Sequence, residues 1–151
     1  MLIWELSKCL RVDNSGDIAL CAYTGLVTDT GRFQYQNADS RAFASASEMI
    51  TAGVDASFVS REVYQNRSEA SVLLEACSIK HMKLFCGRQA AISYVTRRDF
   101  EKCHAVKADS EALIDTLRSI AGVRVACMLR EQGDSIRGSF RAKDDTDVAA
   151  I

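Results

Sequence analysis

Proline is missing from all 151 residues, against an average near ~5%. Its absence is compatible with a helix-rich chain, since proline breaks helix interiors. No apolar run approaches the ~20 residues that a membrane span needs, so the sequence points to no membrane partner. The start, Met1-Leu2-Ile3-Trp4-Glu5-Leu6, lacks the basic region and long apolar core of a secretory signal. Net charge is also nearly absent, at −1, so no global field draws the chain to nucleic acid or membrane, and any anion site must be local. There is no Cys-x-x-Cys pair. The six cysteines, Cys9, Cys21, Cys77, Cys86, Cys103 and Cys127, sit in apolar periodic segments. They read as buried free thiols of a reducing cytoplasm, not as disulfides or a zinc site. The two histidines, His81 and His104, have no ligand-spaced partner and read as surface or boundary residues. There is no internal repeat and no low-complexity tract.

What remains is ordinary for a soluble globular protein: 48% hydrophobic and 26% charged residues. The length suits one medium domain or parts of two small ones. The first half reads as helix upon helix. Leu2 to Leu10 is a short helix with Ile3, Leu6 and Leu10 on one stripe. Asp17 is placed to cap the next, whose Ile18, Cys21, Ala22 and Gly25 fall on one face. Asp39 or Ser40 opens a third, with Phe43, Ala46 and Ile50 as its stripe and Gly53 just past its end. Asp55 or Ser57 opens a fourth, with Phe58, Val59 and Val63 inward. A helix from Ser68 to about Ile79 then marks a change of character. Leu84 to Arg88 and Ala90 to Val95 read as a hairpin turning at Gly87. A short helix follows around Arg98 to Cys103. Asp109-Ser110-Glu111 caps an amphipathic helix through Leu113, Ile114, Leu117, Ile120 and Ala121 that ends at Gly122. Alternation through Val123 to Arg130, a turn at Gln132-Gly133-Asp134 and a strand from Ser135 to Lys143 complete an α/β pattern.

Two stretches could carry chemistry. In the first, the helix-like run from Ile18 to Val27 stops at Thr28-Asp29-Thr30-Gly31. Asp29 is a hard oxygen donor suited to Mg²⁺ or Mn²⁺, and the hydroxyls of Thr28 and Thr30 could hold it in one rotamer. The plainer reading is that Asp29 caps a turn, and spacing alone favours it, because one carboxylate is not a metal site. The second stretch is the last strand. Its period of two puts Ile136, Phe140 and Ala142 on one face, and Ser135, Arg137, Ser139, Arg141 and Lys143 on the other. Guanidiniums, an ammonium and hydroxyls on one face suit a phosphate or phosphodiester. A solvated basic face explains the pattern equally well.

The wording of these stretches adds a further indication. Tyr23-Thr24-Gly25 followed by Thr28-Asp29-Thr30-Gly31-Arg32-Phe33 resembles a signature of the DHH phosphoesterase family, best its oligoribonuclease (nanoRNase) and 3′-phosphoadenosine-5′-phosphate phosphatase branch. The stretch Arg137-Gly138-Ser139-Phe140-Arg141 resembles an element of the DHH-associated C-terminal domain, and the Asp145-Thr146-Asp147-Val148 stretch fits the same domain. The resemblance implies that residues 1–66 are the helical tail of a DHH catalytic domain. Residues 67–151 would be a mixed-sheet α/β DHH-associated domain, incomplete at its end. Asp29 would be a ligand of a dinuclear manganese centre, supported by Thr28 and Thr30, with Arg137, Ser139 and Arg141 binding substrate. That substrate would be short single-stranded RNA or a small nucleotide phosphate.

The family's Asp-x-Asp and Asp-His-His motifs would lie before residue 1, and its glycine-rich loop ending in histidine after residue 151. No catalytic residue is therefore assigned here. The expectation is a piece of a cytoplasmic phosphoesterase that is inactive alone. In such a piece Ile3, Trp4 and Leu6 would be covered by a second copy in a homodimer, or stay as an exposed patch. The competing readings are a non-catalytic nucleotide- or protein-binding module and an exopolyphosphatase-type relative of the same superfamily.

Overall fold

The computed structural model describes residues 2–150, and the chain divides into two compact units, residues 1–66 and 67–151. The described residues form an α/β structure: helices alone in the first unit, helices on a four-stranded sheet in the second. None of these helices is long and apolar enough to cross a membrane.

The first unit contains α1 (Leu2–Cys9), α2 (Asp17–Asp29), α3 (Ser40–Thr51) and α4 (Ala56–Tyr64). Short polar side chains start two of them. The Asp39 carboxylate accepts the Ala42 amide at 2.9 Å, and Asp55 accepts the Ser57 and Phe58 amides, each satisfying donors that a helix start leaves open. Asp17 caps nothing: Gly16 takes the N-cap position at φ 62°, and Asp17 is the first helical residue.

Which face turns inward differs from the sequence expectation on α1 and α2, and of the stripes expected on α3 and α4 only Ala46 and Val59 are buried. On α1, Ile3, Leu6 and Leu10 are 70%, 53% and 65% exposed, whereas Trp4 is buried. Its indole N–H donates to Glu48 Oε2 at 2.8 Å. Burying the largest apolar side chain with its polar edge satisfied outweighs burying the aliphatic stripe beside it. On α2 the inward face is Ala19, Tyr23, Leu26 and Val27, while Ile18 and Cys21 face solvent. On α3, Ala42, Ala46 and Met49 are inward and Phe43 and Ile50 outward; on α4 only Val59 is buried.

The second unit runs α5 (Glu69–His81), β1 (Lys83–Phe85), β2 (Ala90–Val95), α6 (Arg97–Cys103), a 3-10 turn (Lys107–Ser110), α7 (Leu113–Ser119), β3 (Val125–Gln132) and β4 (Ser135–Ala142). The strands lie in sequence order, with β1 antiparallel to β2, β2 parallel to β3 and β3 antiparallel to β4. Ala91 and Val95 of β2 and Ala126 and Met128 of β3 pack with Leu74, Leu113 and Leu117 from the helices. The other face stays partly open, with Ile92, Tyr94, Ile136 and Phe140 exposed. Helix α7 is shorter than its apolar stripe predicts. Asp109 is occupied one turn earlier, accepting the Val106 amide at 2.7 Å and the Ser68 hydroxyl, so it closes the 3-10 turn and cannot cap α7. All six cysteines are free, but only Cys103 and Cys127 are buried; Cys9, Cys21 and Cys86 are exposed. The expected burial of all six is therefore corrected.

Candidate functional site

Helix α2 ends in a Schellman arrangement. The Gly31 amide donates to the Thr28 carbonyl at 3.1 Å, and the Arg32 amide to the Val27 carbonyl at 2.8 Å. Gly31, Arg32 and Phe33 all take positive φ, between 54° and 61°. At Gly31 an added Cβ would also lie 2.2 Å from the Tyr35 ring. The side chains of the turn anchor it: Phe33 stacks on Phe43 at 4.9 Å, and the Arg32 guanidinium sits 3.9 Å above the Tyr64 ring.

Within this frame the Asp29 carboxylate is exposed, and among the described residues it accepts no hydrogen bond and forms no ion pair. Only its backbone carbonyl is used, by Asn37. It does not cap the turn. Nor do the threonines hold it. Thr28 Oγ1 donates to the Thr24 and Gly25 carbonyls, and the buried Thr30 Oγ1 to the Leu26 carbonyl at 2.7 Å while accepting the Phe33 amide. Their hydroxyls bond the helix end, and neither bonds Asp29. An aspartate in the last turn of a helix opposes the helix dipole, so neither capping nor dipole compensation accounts for Asp29. Among the described residues no group of three or more His, Cys, Asp or Glu side chains could hold a metal ion.

The second unit carries a cleft of about 210 Å³ beside β4, whose polar lining includes Lys107, Ser110, Arg130, Arg137, Ser139 and Arg141. Strand pairing assembles it. Arg137 lies opposite Arg130, Ser139 opposite Met128 and Arg141 opposite Ala126, and residues opposite one another across two strands share a face. That face is the one packed by helices, so at its edge the basic residues stand beside α7 and the 3-10 turn. Ser135 and Lys143 do not join the cleft. Ser135 donates to the Gln132 carbonyl in the turn, and Lys143 reaches the Ile120 carbonyl past the end of α7.

Arg130 and Lys107 belong to the cleft with no role expected of them from the sequence, and Ser110, expected in a helix cap, lines it as well. Arg130 is 6% exposed. Its Nη2 donates to the Ser110 carbonyl at 2.8 Å, its Nε to Ser110 Oγ at 3.1 Å and its Nη1 to Ser139 Oγ at 2.8 Å. No carboxylate of the described residues lies within ion-pair distance. Burial works against the Arg130 charge first, the neighbouring Arg137 and Arg141 charges add to that, and Glu111 offsets part of it. The cleft thus gathers three guanidiniums and an ammonium against one carboxylate, Glu111. It offers charged donors in fork geometry, the donor type that planar phosphate recognition uses. The sequence signal was an arginine alternating with Ala126 and Met128 on a face that otherwise turns inward.

No protein-family profile matches the chain. The bifunctional oligoribonuclease and PAP phosphatase NrnA of Bacillus subtilis is 27% identical over 121 residues, covering 80% of this chain and 38% of that protein. The crystal structure of an exopolyphosphatase-related protein from Bacteroides fragilis superposes with a TM-score of 0.87 at 30% identity, covering 95% of this chain and 43% of that one. The chain spans about two-fifths of the length of each relative. The resemblance to the DHH phosphoesterases is borne out by a sequence relative along most of the chain and by a fold relative along nearly all of it.

Proposed function

We propose that the chain is the substrate-gripping portion of a DHH-type phosphoesterase, and that its second unit binds phosphates of short oligoribonucleotides or small nucleotide phosphates. The observation that carries this reading is the cleft itself. A buried guanidinium with no ion-pair partner among the described residues, two further arginines and a lysine face one carboxylate. Desolvating an unpaired charge is costly, and a bound phosphate would supply the missing negative charge. Arg137 and Arg141 stand four residues apart on β4, roughly 13 Å along a strand. Their long side chains either converge on one phosphate or take successive phosphates of an oligonucleotide. The similarity to an oligoribonuclease and PAP phosphatase supports this substrate class.

Asp29 is proposed as one metal ligand, supported by its exposed carboxylate and by its lack of a structural task. Manganese is the metal that the resemblance implies. The residues present do not fit a manganese centre on their own, because one carboxylate does not hold two divalent cations against water.

The test is the affinity of a 5′-phosphorylated dinucleotide for the chain at low and moderate ionic strength. Arg137→Ala and Arg141→Ala should each weaken binding about tenfold or more, the range for a hydrogen bond to a charged group, and added salt should weaken the wild type. Affinity unchanged by both substitutions and by salt would mean a merely solvated face. The likeness to an exopolyphosphatase-related protein favours inorganic polyphosphate as a second occupant of the same cleft. Competition between a short polyphosphate and the dinucleotide ranks the two.

A further inference from the structure

We infer that Arg130 is a positioning residue that fixes the hydrogen-bond polarity of Ser139, turning its hydroxyl into a donor so that the cleft selects ionised phosphoryl groups. The inference rests on reading the cleft as a phosphate site and concerns how that site tells a phosphate from other polar groups.

A serine hydroxyl carries one donor and two acceptor sites and rotates to suit its partners. In Ser139 that freedom is restricted. Its Oγ accepts from Arg130 Nη1 at 2.8 Å, and it forms no other hydrogen bond among the described residues. An arginine has donors only, so this contact has one polarity. The hydroxyl proton must then point away from Arg130, and Ser139 lines the cleft. The group that enters meets a proton donor.

Arg130 can enforce this because it is itself held. The Ser110 carbonyl accepts from both Nη2, at 2.8 Å, and Nε, at 3.2 Å, while Ser110 Oγ accepts from Nε at 3.1 Å. Ser110 Oγ in turn donates to the Lys107 carbonyl at 2.7 Å, so its own proton is committed and it can only accept from the guanidinium. The chain of polarities runs from the 3-10 turn, through Ser110 and Arg130, to Ser139. With Arg137, Arg141 and Lys107, the donors facing an incoming phosphate from β4 and the turn outnumber the one carboxylate of the cleft, Glu111. A phosphoryl group whose oxygens all accept satisfies them. A group that must donate leaves two protons facing each other, a penalty that arises when a site is built to one polarity. Arg130 is 6% exposed and acts through Ser139. Lysine at this position would keep the charge but cannot span Ser110 and Ser139 with a planar fork.

The experiment is a double-mutant cycle on the full chain, with adenosine 5′-monophosphate as probe and calorimetric Kd as readout. Thermal unfolding of every variant checks folding. Arg130→Lys should weaken binding about fivefold, the usual order for one hydrogen bond, and Ser139→Ala by a similar factor. In the Ser139→Ala background, Arg130→Lys should change Kd less than about twofold, because the two act through one hydroxyl. Ser139→Thr, which restores a hydroxyl, should restore the sensitivity to Arg130→Lys. If Arg130→Lys fails to fold, Ser110→Ala, which loosens the guanidinium and keeps its charge, should show the same coupling to Ser139. Binding by the wild type with fully additive losses, or with no loss in Arg130→Lys, overturns the polarity role and leaves the phosphate reading standing. Absence of binding by the wild type, or binding indifferent to Arg141→Ala, overturns both.

Discussion

The turn that ends α2 and the cleft beside β4 both set polar side chains next to apolar ones, yet they are built in opposite ways. At the α2 turn the polar groups serve the backbone. Thr28 and Thr30 bond helix carbonyls, Gly31 closes the Schellman turn, and the Asp29 carboxylate is left exposed with no partner among the described residues. In the cleft the polar groups serve one another and a space. Arg130 bridges two serines from different elements, and the remaining cations line the same opening. The comparison teaches that adjacency along the chain concentrates residue types, whereas strand pairing concentrates side chains. Only the second makes a site from the residues present.

The comparison can be broken or sharpened by substitutions and by pH. The largest effect is expected beneath the cleft. Leu117→Ala removes a fully buried side chain from the core under it and should lower stability by about 2–5 kcal/mol, read from urea unfolding. A loss below about 1 kcal/mol would mean that the second unit is not packed as described. Next comes Gly31→Ala at the α2 turn, where positive φ costs a non-glycine residue about 1–2 kcal/mol. The Tyr35 ring must also move. Unchanged stability there would show that the turn does not depend on its glycine.

Acid should weaken the second unit through two of its carboxylates. Burial alone would raise the Glu75 carboxyl, but the Thr116 hydroxyl and the Arg67 guanidinium at 2.6 Å outweigh it and hold it below the ordinary range. Asp99 behaves likewise, with burial opposed by the Thr96 hydroxyl and amide. Both folded pKa values are depressed, so their stabilisation is complete above the unfolded carboxylate value near ~4. It is lost as pH falls through the folded values. Glu75→Gln should therefore flatten the decline in melting temperature below pH 4, and an unaltered decline would remove Glu75 from this account. The smallest effect is expected at Asp29. If its carboxylate capped the turn, Asp29→Asn would cost stability. Since it accepts no hydrogen bond and opposes the helix dipole, the substitution should instead be neutral or stabilising by a few tenths of a kcal/mol. A loss of about 1 kcal/mol would restore the capping role.

Much of this architecture was legible in the sequence because it depends on local rules. Ser68 caps α5 by accepting the Ser71 amide, Gly87 turns the β1–β2 hairpin, and Gly31 and Gly53 stand at helix ends with positive φ. What was not legible depends on choices made at a distance. Hydrophobic period finds a stripe but not which of two neighbouring apolar stripes is buried. On α1 that was decided by Glu48, 44 residues away, accepting the Trp4 indole. Asp109 could cap either of two successive elements, and the Ser68 hydroxyl drew it to the first. Arg137, Ser139 and Arg141 were visible on one face of one strand. Arg130 was hidden because its role needs the β3–β4 register and a turn 20 residues earlier.

The central claim, that the cleft between the 3-10 turn and β4 is where phosphate is held, is tested most directly by amide chemical-shift mapping of the 151-residue chain with a 5′-phosphorylated dinucleotide. The account predicts saturable shifts at Lys107 to Glu111, at Arg130 and along Arg137 to Arg141, all abolished in Arg141→Ala. Shifts scattered over unrelated surfaces, or shifts that persist unchanged in Arg141→Ala, would contradict it.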